Sequence, residues 1–302
     1  MAKIGIIGSG NVGANTAFFL AERAVADVML FDVQEGLSAG KTLDMMEAAP
    51  IRGYQTKLSG TDRLEDILDA DILIITAGSV RKPGMQREDL FSANRPILSD
   101  LASSLSGYTG IVIIVTEPVD LLTTAFAKES GLAPDRILGL GGFLDSTRLR
   151  YLISKELSIS TESVSAMVIG RHSDQMIPLA DYCHVSGVPV AALLDEEQLR
   201  GIFEETKNSG RLIVDMAERA SAYYGPSAVA SDLAESIVRD TRRIISISQM
   251  WTGQYGIDGV AMSLPAIIGR KGIVKVMEPI LTDEQKAILK DSANTITSIV
   301  EQ

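Results

Sequence analysis

Four apolar runs in the first half of the chain do not alternate with polar residues. They are Lys3 to Ile7, Val28 to Phe31, Ala70 to Gly78 (ADILIITAG) and Gly110 to Pro118 (GIVIIVTEP). A strand buried on both faces reads this way, because both sides of the pleat need apolar side chains. Between the runs lie a glycine turn (GSGNVG), an alanine-rich helical stretch from Asn15 to Ala24 and a second helical stretch from Arg87 to Leu105. A further helix and the short run RILGLGG, Arg136 to Gly142, follow. Strand, turn and helix in repetition predict a doubly wound α/β unit around a parallel sheet.

From Asp145 the texture changes. One helical stretch runs to Leu157, a strand is expected over Ser163 to Gly170, and short strands then alternate with long amphipathic helices to the C terminus. The helix from Glu197 to about Tyr224 reads as continuous or broken near Gly210. The expected division is residues 1–143, an N-terminal Rossmann-type domain, and 144–302, an α+β substrate domain. No glycine-rich linker separates them, so the halves should pack tightly. Internal repeats and low-complexity tracts are absent from the sequence.

Composition narrows the setting. With 302 residues, 46% of them apolar, the chain buries a core without disulfides, and its one cysteine, Cys183, fits a reducing compartment. The start resembles no secretory signal, and no run approaches the roughly 20 apolar residues of a membrane span. We therefore expect a soluble cytoplasmic protein. A net charge of −11 without a basic block argues against nucleic acid as a partner. Any bound anion must be caught by local arginines, and no metal is expected.

Gly8, Gly10 and Gly13 match G-x-G-x-x-G directly after a strand and at the start of a helix. The first glycine permits the tight turn, the second lets backbone approach a pyrophosphate, and the third lets helix and strand pack closely. Asp32 closes the second strand, where a carboxylate accepts ribose hydroxyls and repels a 2′-phosphate, so NAD is favoured over NADP. Thr76, Ala77 and Gly78 end the next central strand, where small residues let a cofactor lie against backbone. The plainer alternatives are a solvated or helix-capping Asp32 and an ordinary turn at 76–78.

Only two histidines occur, His172 in IGRHSDQMIP and His184 beside Cys183. Hydride transfer from a carbinol needs a group that takes the alcohol proton near neutral pH, which suits imidazole. His172, just past a strand end, is the candidate; the alternative is a hydrogen-bonded loop histidine. His184 reads as structural, and Cys183 next to it should point to the opposite face of a strand. Asp145 in LDSTRLR is the candidate to orient the imidazole, with Arg148 one helical turn on as a two-point partner for a carboxylate. An N-capping aspartate and a surface arginine would look alike. The loop Ser79 to Asp89 (SVRKPGMQRED) reads as a lid bringing Arg81 and Arg87 over an anion, or as a solvated charged loop.

Taken together, GSGNVG, FDVQEG, TAGSVRKPGMQRED, LGLGGFLDSTRLR, IGRHSDQMIP, SAYYGPSA and TGQYG resemble the lactate/malate dehydrogenase family, in particular its lactate-dehydrogenase-like malate dehydrogenases. The resemblance spans nearly the whole chain. It implies NAD as cofactor, held additionally by Asn11, Val12, Asn94, Val115 and Thr116, and a reaction between malate and oxaloacetate of the tricarboxylic acid cycle. It implies that His172 accepts the proton, Asp145 orients it, Arg148 clamps the C1 carboxylate and Arg87 polarises the carbonyl. Arg81 falls where malate enzymes hold the second carboxylate; facing a methyl group it would be left unpaired, so a dicarboxylate outranks lactate. A homo-oligomer, dimer or tetramer, is also implied.

Three positions depart from the family pattern. Arg171 and Ser173 flank the histidine, Ser173 standing for a glycine, so a strained or differently shaped loop is expected there. Glu117 stands for an asparagine before Pro118, whose peptide bond is expected to be cis. An ionised Glu117 cannot donate to the substrate oxygen and opposes a dianion, so weakened turnover is expected, and Glu117→Asn should raise it. A different 2-hydroxyacid dehydrogenase, such as one for lactate, and a catalytically silent NAD-binding protein are the alternatives.

Overall fold

The computed structural model describes residues 2–79, 87–217 and 221–302, with the side chains of Arg87 and Glu88 outside that description. Arg81 and most of the expected lid therefore lie outside the described residues, and Arg87 is described only as the first residue of its helix.

The first half alternates as expected: β1 (Lys3–Ile7), α1 (Asn11–Glu22), β2 (Asp27–Phe31), α2 (Leu37–Arg52), β3 (Leu58–Thr61), β4 (Ile72–Ile75), α3 (Arg87–Ser104), β5 (Ile111–Ile114), α4 (Val119–Ser130), β6 (Ile137–Gly139) and α5 (Gly142–Leu157). Six parallel strands take the order β3-β2-β1-β4-β5-β6. The direction of winding reverses between β1 and β4, where such sheets leave a crevice beyond their carboxyl ends. All four residues of β4 and of β5 are buried, which is why their sequence does not alternate.

Each face of the sheet has its own cover. Ile4, Ile6, Ile72, Ile74 and Ile113 share one core with Leu20 of α1, and on the other face Leu73, Ile75, Val112 and Ile114 pack with Leu98 and Leu101 of α3 and Phe126 of α4.

The second half continues with β7 (Val164–Ser165), β8 (Val168–Ile169), β9 (Ile177–Pro178), β10 (His184–Val185), β11 (Val188–Pro189), α6 (Glu196–Ala217), α7 (Tyr224–Val238), β12 (Ile244–Thr252), β13 (Asp258–Gly269), β14 (Gly272–Val276) and α8 (Asp283–Val300). Val229, Leu233 and Ile237 of α7 complete the core over β1 and β4. The antiparallel strands β12, β13 and β14 extend the same sheet beyond β6, joined at Ser248 opposite Gly139. Among the described residues the halves thus share one nine-stranded sheet.

Three expectations need correction. The strand over Ser163 to Gly170 is two short strands in different sheets, β7 pairing with β10 and β8 with β9. Helix α6 passes Gly210 unbroken, one of the two expected forms, but within the described residues it ends at Ala217 and does not reach Tyr224, which opens the separate helix α7. Ser173 is not among the described residues with positive φ, so the strain expected from losing a glycine there is absent. Its backbone N–H donates to Arg171 O at 2.7 Å and its carbonyl accepts from Met176 N at 3.1 Å, a compact turn open to any L-residue. Among the described residues no helix is long and apolar enough to cross a membrane.

Candidate active site

The glycine turn follows β1 and opens α1. Gly8 has φ of +102°, and a Cβ there would lie 2.6 Å from Ala77 N; a Cβ on Gly13 would lie 2.0 Å from Gly8 O. Both contacts are impossible for a side chain, so these glycines are set by close approach of backbone to backbone. Gly10 is different: among the described residues nothing lies within 4 Å of where its Cβ would point, and as N-cap of α1 it offers no side-chain cap. The helix end is left open to an anion.

Asp32, at the tip of β2, accepts Ser9 N–H at 2.7 Å through Oδ2 and Gln34 N–H at 3.0 Å through Oδ1. Lys41 Nζ of α2 donates to Ser9 O at 2.6 Å, so Ser9 is held on both sides of its peptide. Thr76 Oγ1 donates to Gly8 O at 2.9 Å and Thr116 Oγ1 to Ala77 O at 2.7 Å, joining three strand ends. Gly78 is pressed against Thr116, whose Cγ2 would sit 2.6 Å from an added Cβ. Asn11 is exposed in the first turn of α1. Asn94 is fully buried, and its side chain accepts Ser79 N–H at 2.7 Å and donates to Glu117 O at 2.7 Å. Asn94 is thus a brace beneath the site that ties two loops together.

A cleft of about 250 Å³ opens above these strand ends, lined among others by Val12, Thr76, Val115, Glu117, Arg148 and His172. His172 follows β8 and enters the cleft between two carboxylates. Its Nδ1 lies 2.7 Å from Asp145 Oδ2 and its Nε2 3.1 Å from Glu117 Oε1. Arg148 NH1 stands 3.6 Å from Asp145 Oδ1, and its guanidinium faces Gly210 of α6, where an added Cβ would meet it at an ordinary contact distance of 3.6 Å. The Glu117–Pro118 peptide is cis, as expected, and Glu117 Oε2 accepts Val119 N–H at 3.2 Å.

Asp120 was not anticipated. Two residues past Pro118 in the first turn of α4, it accepts His172 N–H at 2.6 Å through Oδ2 and the Ser248 hydroxyl at 2.5 Å through Oδ1. It fixes the backbone of the histidine loop from below. Burial pushes its carboxyl up to about 6, against the lowering effect of those two hydrogen bonds. For His172 burial favours the neutral ring, but the charges and hydrogen bonds of Asp145 and Glu117 outweigh it and raise the imidazole to about 10. Lys207 and Arg211 of α6 also line the cleft, unforeseen because a helix face does not announce which neighbour it meets.

The remaining candidates stand apart. His184 lies on β10 opposite Ser165 and Pro189, and Cys183 is buried with its thiol pushed up to about 11 by burial. Such a thiol is no nucleophile at neutral pH. Among the described residues no group of three or more His, Cys, Asp or Glu side chains could hold a metal ion.

The family model of the lactate/malate dehydrogenase NAD binding domain matches residues 2–139, and that of the alpha/beta C-terminal domain matches residues 143–302. The chain belongs to the lactate/malate dehydrogenase family. It is 42% identical to a malate dehydrogenase of Methanosarcina mazei over 298 residues, covering 98% of this chain and 97% of that protein. It is 38% identical to a malate dehydrogenase of Bacillus subtilis over 302 residues, covering 99% and 97%. Among solved structures, the malate dehydrogenase of Cryptosporidium parvum superposes with a TM-score of 0.96 at 32% identity, covering 99% of this chain and 98% of that one. The lactate dehydrogenase of the same organism, complexed with lactic acid and nicotinamide adenine dinucleotide, gives 0.94 at 34%, covering 99% and 97%. Both substrate classes share this lactate/malate dehydrogenase backbone, so side chains must separate them.

The residues fit the cofactor of the family. The space at Gly10, the uncapped start of α1 and the carboxylate of Asp32 beside it form a cradle for a pyrophosphate and an adjacent ribose.

Proposed function

We propose that this lactate/malate dehydrogenase family member is an NAD-dependent malate dehydrogenase interconverting malate and oxaloacetate. The observation that carries the reading is the 2.7 Å contact between His172 Nδ1 and Asp145 Oδ2, with Arg148 one turn along α5, all at the cleft beside the glycine turn. When bound, NAD supplies the hydride acceptor for malate oxidation. Asp32 receives ribose hydroxyls and the open N terminus of α1 faces the pyrophosphate. Val12, Val115 and Thr116 line the cleft where the nicotinamide half belongs, and Asn94 supports it from beneath.

Asp145 fixes the ring so that Nε2 faces the cleft and stabilises the imidazolium formed when Nε2 takes the hydroxyl proton. Arg148 presents a planar fork to the C1 carboxylate. Arg87 polarising the carbonyl, and Arg81 pairing the second carboxylate, are carried by the family resemblance, and the malate dehydrogenases among the relatives support the same substrate class.

The test is turnover of oxaloacetate against pyruvate, with NADH and with NADPH, in wild type and His172→Ala. Preference for oxaloacetate with NADH, lost in the variant, is expected; preference for pyruvate would overturn the substrate, and unchanged activity in the variant would overturn the mechanism.

We also infer a cytoplasmic homo-oligomer, dimer or tetramer, serving the tricarboxylic acid cycle. Exposed apolar side chains support the oligomer: Leu43 and Ile51 on α2, and Leu212, Ile213 and Met216 on α6. Light scattering on the purified chain decides it, a monomer at micromolar concentration counting against it. The division into a cofactor domain and a substrate domain near residue 143 is supported by family models that match on either side of it.

A further inference from the structure

A neutral imidazole has one N–H and one acceptor nitrogen, whereas an ionised carboxylate only accepts. His172 meets a carboxylate oxygen at both nitrogens, Asp145 at 2.7 Å and Glu117 at 3.1 Å. Two acceptors call for two donors, which only the imidazolium provides. The two carboxylates are not equivalent: the Asp145 side chain is 1% exposed and that of Glu117 43%. Asp145 is built in, while Glu117 stands at the cleft surface on the nitrogen that meets substrate.

We propose that Glu117 is a positioning residue that keeps the Nε2 proton on His172 in the free enzyme, extending 2-oxoacid reduction to alkaline pH and confining malate oxidation to higher pH. This rests on the reading of His172 as the proton-transfer group. On substrate entry the carbonyl oxygen replaces Glu117 Oε1 as acceptor of Nε2–H. As hydride from the reduced cofactor reaches C2, the carbonyl π pair moves to oxygen, the Nε2–H bond breaks and its proton completes the hydroxyl. Malate, oxidised cofactor and neutral His172 result, and one solvent proton restores the clamp. The overall equilibrium is untouched; what moves is the pH range in which each direction runs at its plateau.

The charges around the ring come from every side. Asp145 and Arg148 face it from α5, Glu117 from the tip of β5 and Asp120 from α4, while Arg171 precedes it on its own loop. Lys207 and Arg211 line the same cleft from α6. Arg81 and the Arg87 side chain lie outside the described residues. Among the described residues three carboxylates approach the histidine itself, two on the ring and one on its backbone, so removing the charge at Glu117 weakens the hold on the proton without abolishing it.

With only two histidines in the chain, ¹³Cε1-histidine labelling gives two signals, and His184→Gln assigns them. The cofactor-free protein is titrated from about pH 5.5 to about 10.5, a range that brackets the ordinary histidine value near 6.5. In wild type the His172 signal should stay that of the imidazolium past about pH 8, and in Glu117→Gln and Glu117→Asn its midpoint should fall by about 1–3 units. Half-maximal kcat/KM for malate oxidation should fall with it. A wild-type midpoint near the ordinary value, or one unmoved in both variants, overturns the clamp. Absent turnover with a displaced His172 midpoint would instead overturn the dehydrogenase reading, and with it the pH range of turnover, while the hold of Glu117 on the proton stands.

Discussion

The turn after β1 and the tip of β5 lie on either side of β4 at the carboxyl end of the same sheet, yet they are built by opposite means. At the turn, backbone does the work: Gly8 and Gly13 are defined by the space they do not fill, and the helix end is left bare. At the tip, charge does the work: an imidazole stands between Asp145 and Glu117 with Asp120 beneath. The first region should be indifferent to pH and intolerant of a single methyl group. The second should tolerate small changes of volume and respond sharply to a proton.

Replacing His172 by asparagine keeps a similar volume and removes the proton transfer, so turnover should fall by about 10²–10⁴-fold. NADH binding, followed by fluorescence, should stay within a few-fold of wild type; a large loss there would merge the two regions into one. Arg148→Lys keeps the charge and loses the fork, and kcat/KM for oxaloacetate should drop by roughly 30–100-fold, on the scale of about 2–3 kcal/mol for a charge-assisted pair. Gly13→Ala forces a Cβ against Gly8 O and should cost about 1–3 kcal/mol in stability, with NADH affinity reduced at every pH. An affinity loss that varied with pH would break the distinction.

A smaller effect is expected from Glu117→Gln on stability. The raised His172 contributes stability that is fully present below its ordinary value near 6.5 and lost as pH rises through about 10. Denaturant unfolding should therefore show the wild type's advantage over Glu117→Gln narrowing across that range, by no more than about 1 kcal/mol because solvent screens the half-exposed Glu117. An effect of similar size is expected from Lys41→Met, which removes one hydrogen bond to Ser9 O, worth about 0.5–1.5 kcal/mol, and should weaken NADH binding a few-fold without changing the pH profile.

The same contrast governs what could be read from the sequence. Gly8, Gly10, Gly13 and Asp32 were legible because one turn and the next strand contain them all. Asp145 and Arg148 were legible as neighbours on a helix. Lys41 was not, since its contact with Ser9 depends on how α2 lies over the turn, and Asp120 was not, since it acts on a histidine supplied from beyond β8. Glu117 was recognised as out of place but expected to oppose the substrate; that it is turned onto His172 Nε2 is a consequence of tertiary folding. The expected strand over Ser163 to Gly170 shows the limit of periodicity: apolar residues announce burial, and only their partners decide in which sheet.

The junction of Ser248 with Gly139 bears on how the chain is made. As the protein leaves the ribosome, β6 is finished long before β12 exists, so its edge waits with unpaired peptide groups, while the face of β1 and β4 waits for α7. A nascent chain stalled between these points carries both a bare strand edge and an uncovered apolar surface, the two features that recruit other chains. Splitting the gene near residue 143 should accordingly yield an N-terminal fragment that aggregates, rescued when the C-terminal fragment is synthesised beside it.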